Sequence, residues 1–153
     1  MNNFTFGDET YQYYETIAGG SGAGPGYDGT AVIQTHMTNS RLTDPEIFET
    51  RFPVLLEEFS IRARSGGAGT HKGGDGGLRR VRFLSDMTAC ILANRRRVAP
   101  FGLDGGAAGA VGAARVERAD GSIEQLGSTA KVDMRAGDVF VIATPGGGGF
   151  GGD

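Results

Sequence analysis

The densest run of chemically capable side chains is Thr35-His36-Met37-Thr38-Asn39-Ser40-Arg41. Histidine titrates near neutrality and can carry a proton or ligate a metal, while an amide and a guanidinium can clamp a carbonyl or a carboxylate. His36 is therefore the candidate proton carrier, with Asn39 and Arg41 as candidate substrate contacts. The chain has only two histidines, His36 and His71, and scattered histidines do not make a metal site. Glu15 lies at the near edge of the same region. A carboxylate there either orients a substrate amide or a catalytic histidine, or, more commonly, accepts hydrogen bonds from loop N–H groups. Farther on, Arg95-Arg96-Arg97 can grip a carboxylate or phosphate of a substrate, bridge to a partner subunit, or stay solvated; Arg96 is the substrate contact named among them.

Positioning these groups falls to a glycine loop. Between Glu15 and Asn39 stand six glycines and Pro25, with Tyr11, Tyr13, Tyr14 and Ile17 before them and Ala31, Val32 and Ile33 after. Glycine this dense serves either a linker or a loop that needs φ > 0 and close approach to the backbone, and the apolar, strand-like flanks favour the loop. It is not a phosphate cradle: no Lys-Ser/Thr pair closes it, Pro25 removes a donor, and β-branched residues follow instead of a helix start. The expectation is a glycine-lined pocket with His36, Asn39 and Arg41 at its rim. A second glycine-rich loop, Ser65 to Gly77, carries His71 and Lys72, and faces an anion or forms a solvated hairpin tip.

The rest reads as strands. Alternating aromatic and polar residues from Asn3 to Ile17 suit one or two strands, and Val54 to Arg62 a further one. Leu78 to Ala93 divides into two strands around Ser85-Asp86, the second almost wholly apolar and assigned to the core. AARVER and SIEQL flank the Asp120-Gly121 turn signal of a hairpin, and Lys131–Met134 with Val139–Ala143 form another two-strand unit. Thr43-Asp44-Pro45-Glu46 announces one short helix, over Pro45 to Thr50. The predicted fold is mainly β, a hairpin-built sandwich or twisted antiparallel sheet with long glycine-rich loops. The alternative is α+β, with a longer helix from Ile47 to Glu58.

Several blocks together resemble the hydantoinase B/5-oxoprolinase family, in the family's order. They are GGSGAGPGYDGTAVIQTHMTN, Arg51-Phe52-Pro53-Val54, RSGGAG with Gly73-Gly74-Asp75-Gly76, Asn94-Arg95-Arg96-Arg97 with Pro100-Phe101-Gly102-Leu103, and the closing Ala136-Gly137-Asp138 through Thr144-Pro145 to the final glycine block. The resemblance implies the C-terminal portion of a hydantoinase B-type subunit, within an ATP-dependent assembly that hydrolyses a cyclic amide or imide such as 5-oxoproline or a hydantoin. It also implies an ATP-binding hydantoinase A-type partner, with the divalent metal held elsewhere in the assembly. Related assemblies carboxylate small ketones, and a non-catalytic scaffold domain is the competing expectation.

Length and charge narrow the classes further. At 153 residues the chain reads as a single domain, 1–153, and with 28 glycines it carries more than twice the usual share of about 7%. A net charge of −3 argues against a nucleic-acid partner, and no apolar run approaches the roughly 18 residues of a membrane span. A soluble, cytoplasmic protein is expected. The single cysteine, Cys90, allows no internal disulfide and is expected to be buried, and the closing GGGGFGG to be ordered only if it packs on the body.

Overall fold

The computed structural model describes residues 1–35 and 39–152. Among them the chain forms β1 (Asn2–Gly7), β2 (Gln12–Ile17), α1 (Pro45–Arg51), β3 (Val54–Arg62), β4 (Gly76–Phe83), β5 (Met87–Ala93), β6 (Ala113–Glu117), β7 (Ile123–Leu126), β8 (Thr129–Met134) and β9 (Val139–Ala143). Two antiparallel sheets result, one ordered β2-β1-β5-β8 and the other β3-β4-β9-β6-β7. The mainly β expectation holds. The α+β alternative fails because α1 stops at Arg51 and Val54 opens a strand.

Strand periodicity explains how the sheets face each other. In β1, Phe4 and Phe6 point inward, and in β4 Val81 and Phe83 do, while Arg80 and Arg82 turn outward. Phe4 meets Phe140 of β9 with ring centres 4.8 Å apart, and Phe6 meets Phe83 edge-on at 5.3 Å. Each such fully buried side chain is worth about 1.5–3 kcal/mol of transfer free energy. The short helix closes one end of this core. Its N-cap, Asp44, accepts a hydrogen bond from the Glu46 N–H at 3.0 Å, Pro45 begins the first turn, and Phe48 drops into the core 4.9 Å from the Tyr13 ring.

Three local expectations are corrected. Strands β8 and β9 form as expected but do not pair: β8 joins β5, whereas β9 lies between β4 and β6. The connection between them crosses from one sheet to the other, and Asp138 organises it by accepting from the N–H groups of Arg135 and Ala119 at 3.0 and 2.9 Å. Residues 31–33 are not a strand. Their N–H groups are spent on the glycine segments, Val32 donating to Asp75 at 3.0 Å and Ile33 to Gly19 at 3.1 Å, so no partner strand can use them. Cys90 is half-buried, because β5 has only its alternate positions Met87, Ala89, Ile91 and Ala93 in the core.

The glycines form a layer of their own at one end of the sandwich. Residues Pro145 to Gly149 run buried through its middle, with Gly147 N–H donating to Gly74 at 2.8 Å and its carbonyl accepting from Gly67 at 2.8 Å. Gly148 accepts from Ala23 at 2.9 Å, and Gly149 accepts from Leu103 at 2.9 Å. The close approach is what requires glycine: a Cβ built at Gly20 would fall on the Gly74 carbonyl oxygen, and one at Gly147 on that of Ser21. The closing block is therefore packed on the body. The Ser65–Gly77 segment is not a solvated hairpin tip either, since Gly73 and Gly74 are buried in this layer. No helix among the described residues is long and apolar enough to cross a membrane.

Candidate functional site

A cleft of about 520 Å³ opens where the glycine layer meets the end of β5. Gly19 to Gly22 form one wall and Gly146 to Gly149 another, so these walls are main chain. Side chains enter from Ile33, Thr35, Asn94, Arg95, Phe101 and Leu103. Two of the approaches run through unusual backbone: Val32, just before Ile33, has φ 44°, and Arg95 has φ 55°. A β-branched residue in the left-handed region is an outlier that costs on the order of 1–3 kcal/mol, sustained here by the hydrogen bonds of Val32 and Ile33 to the glycine segments.

The glycine loop spends donors on main-chain carbonyls, its own and those of the closing glycine segment. The N–H groups of Gly20, Ser21, Ala23 and Gly24 donate to the carbonyls of Pro145, Thr30, Gly148 and Tyr27. Amides committed this way cannot cradle a phosphate, so these residues do not fit a nucleotide site. Among the described residues no group of three or more His, Cys, Asp and Glu side chains could hold a metal ion. A resident metal does not fit them either.

Of the predicted site residues, His36 lies outside the described residues. Thr35, its neighbour in sequence, lines the cleft. Asn39 and Arg41 are exposed and are not among the residues lining the cleft; Arg41 instead borders a smaller cavity of about 330 Å³, together with Ser40, Tyr13, Glu15 and Thr43. Glu15 is only 4% exposed. It does not accept from loop amides as expected, but from Arg79 at 2.6 and 2.9 Å and from the Tyr13 hydroxyl at 2.8 Å. The Thr43 hydroxyl lies 3.1 Å from the Tyr13 oxygen and can donate to it, and the phenol is pushed up to about 12 by burial, with the Thr43 hydrogen bond opposing and the neighbouring Glu15 carboxylate adding to the rise.

The three arginines separate. Arg95 faces the cleft, Arg97 is exposed, and Arg96 tucks against Gly112, where there is room only because that residue has no Cβ. The Nε and Nη2 atoms of Arg96 are buried without a hydrogen-bond partner among the described residues. Burial, followed by the nearby Arg62 charge, pulls its pKa down to about 10. Sequence reasoning singled out Arg96 as the substrate contact, whereas Arg95 is the arginine of the three that lines the cleft. On the second glycine loop, His71 is committed structurally. Its Nε2 accepts from the Gly26 N–H at 3.2 Å, and its Nδ1 lies 3.5 Å from Asp28, which also accepts from the Lys72 N–H at 2.8 Å.

Comparison with known proteins adds a second line. The hydantoinase B/oxoprolinase family matches residues 1–153. Over 151 residues the chain is 53% identical to 5-oxoprolinase 1 of Arabidopsis thaliana, covering 99% of this chain and 12% of that protein. It is 50% identical over 151 residues to the 5-oxoprolinase of Dictyostelium discoideum, again covering 99% of this chain and 12% of the other. Among solved structures, the ATP-dependent caprolactamase of Pseudomonas jessenii superposes with a TM-score of 0.80 at 23% identity, over 97% of this chain and 28% of the other. That likeness is one of fold. The chain thus spans about an eighth of the plant protein, 12% of its length.

Proposed function

Because the chain belongs to the hydantoinase B/oxoprolinase family, we propose that it is part of an ATP-dependent hydrolase assembly that opens a cyclic amide or imide of the 5-oxoproline or hydantoin type. The observation that carries this is the 53% identity to a 5-oxoprolinase along 99% of the chain. ATP and a divalent metal then belong elsewhere in the assembly, to an ATP-binding hydantoinase A-type portion and to the rest of the hydantoinase B-type subunit. ATP supplies the activation of the amide. Residues 1–153 contribute as a single, soluble, cytoplasmic domain corresponding to the C-terminal portion of that subunit.

Within this scheme the work of the chain is to hold a polar ring and move a proton. His36 hands a proton to the ring nitrogen as the C–N bond opens and recovers one from the attacking water. Asn39 and Arg41 are polar contacts reaching the substrate from outside the described cleft lining, Arg41 beside the smaller cavity that Glu15 also borders, while Glu15, occupied by Arg79, sets the position of β2. A second reading, a non-catalytic assembly domain, draws support from outward apolar residues such as Val98 and Ile61, 70% and 60% exposed. A ketone carboxylase part is supported by fold alone, through acetone carboxylase at a TM-score of 0.78 and 20% identity.

The test uses the complete assembly with ATP and 5-oxoproline, and a His36→Gln variant. Loss of a general acid or base lowers turnover by roughly a hundredfold to ten-thousandfold. The expected result is a loss in that range with the melting temperature within about 2 °C of the parent. Turnover within a few-fold of the parent removes His36 from the chemistry. Absence of any ATP-dependent ring opening by the parent assembly overturns the hydrolase assignment.

A further inference from the structure

Two positive groups line the cleft, the Arg95 guanidinium and the Met1 ammonium, the latter donating to Asn94 Oδ1 at 3.0 Å. Among its described lining residues Arg95 is the sole ionisable side chain, and none is a carboxylate. Its guanidinium is oriented by two weak restraints, a contact over the Phe101 ring at 5.7 Å and a long hydrogen bond from Nη1 to the Ala99 carbonyl at 3.3 Å. Neither is a charged partner, and no ion pair involves Arg95 among the described residues. Behind it, Arg96 and Arg62 add further positive charge. Arg62 binds only the Val111 and Thr144 carbonyls, at 2.7 and 3.2 Å. The same cleft lining includes the apolar side chains of Phe101, Leu103 and Ile33, 65%, 52% and 41% exposed.

A guanidinium in a small cleft that has main chain for walls and the apolar side chains of Phe101, Leu103 and Ile33 in its lining suits a small ring bearing one carboxylate. We propose that Arg95 is a specificity-determining residue that binds the carboxylate of the substrate, so that the site selects a lactam carrying a carboxylate over the same lactam without one. This assignment rests on the cyclic-amide function proposed above. It names a residue and a recognition chemistry, with the ring set against Phe101 and its acid group against Arg95.

The experiment compares 5-oxoproline with pyrrolidone, the same five-membered lactam lacking the carboxylate, on the complete assembly with ATP. A charge-assisted hydrogen-bonded pair is worth roughly a hundredfold in affinity. Arg95→Met is expected to raise KM for 5-oxoproline by about that factor with kcat changed less than threefold, and Arg95→Lys to recover part of it. For pyrrolidone, KM, or the inhibition constant if that lactam is not turned over, stays within twofold. Equal losses for both lactams, or an unchanged KM for 5-oxoproline in folded Arg95→Met, overturn the proposal. Should the parent assembly open neither ring, the hydrolase assignment fails separately. Calorimetric binding of 5-oxoproline to parent and Arg95→Met then decides the point, Arg95-dependent binding upholding the carboxylate site and equal or absent binding overturning it. Inorganic phosphate is the control: Arg95-dependent binding of phosphate tighter than of 5-oxoproline overturns the carboxylate assignment.

Discussion

Both carboxylate oxygens of Glu15 are held by the guanidinium of Arg79, at 2.6 and 2.9 Å, between residues 64 apart in sequence and on opposite sheets. Arg79 is 1% exposed and lies between the rings of Phe48 and Phe59, at 5.5 and 5.4 Å. The pair fastens one sheet to the other beside α1.

A buried pair of this kind is worth little against an apolar replacement but is costly to break on one side, because the remaining charge stays buried. Arg79→Met is expected to destabilise the chain by about 3–5 kcal/mol. The double variant Arg79→Met with Glu15→Met removes both charges and is expected to recover more than half of that loss. Urea unfolding of the two variants measures it, and a double variant no more stable than the single one contradicts the account.

Within the glycine layer, two positions two residues apart make opposite predictions. A Cβ at Gly20 meets backbone on both sides, whereas one at Gly22 finds its nearest neighbour, the Gly148 carbonyl oxygen, at an ordinary 3.8 Å. Gly20→Ala is expected to cost about 3 kcal/mol or more through displaced main chain, and Gly22→Ala to change stability by less than about 1 kcal/mol. Thermal melts of both variants compare them directly.

The outer face of the second sheet sets an acid limit. Glu117 is held down to about 2 by the hydrogen bonds of Arg80, opposed by partial burial and reinforced by Arg115. A carboxylate depressed in the folded state contributes stability that is complete above its ordinary value of 4.5 and is lost as pH falls from there through about 2. The urea midpoint of the parent should therefore fall more steeply over that acid range than that of Glu117→Gln. Parallel slopes would mean that Glu117 gains nothing from its arginines.

Much of the fold was legible because its signals are local. Asp44-Pro45-Glu46 starts a helix by capping chemistry, and Asp120-Gly121 joins β6 to β7 by turn chemistry, so neither depends on distant residues. What failed depends on which sheet a strand enters. Nothing in Arg135-Ala136-Gly137-Asp138 distinguishes a hairpin turn from a crossover, and only packing decides that β8 and β9 part company. The buried Arg79 had left a trace: Val81 and Phe83 point inward, so strand parity places Arg79 inward too, an unusual site for a cation that demands an acid partner. Identifying that acid as Glu15 required the tertiary structure. That Arg95 and not Arg96 lines the cleft is likewise a tertiary placement that composition does not encode.

The glycine layer also governs how such a site could diversify. Substitution is sterically barred at Gly19, Gly20 and Gly146 to Gly149, because any added carbon would collide with the carbonyl group of an adjacent segment. Substitutions that change what the cavity contacts without pushing on its walls are therefore those at positions such as Ile33, Arg95, Phe101 and Leu103.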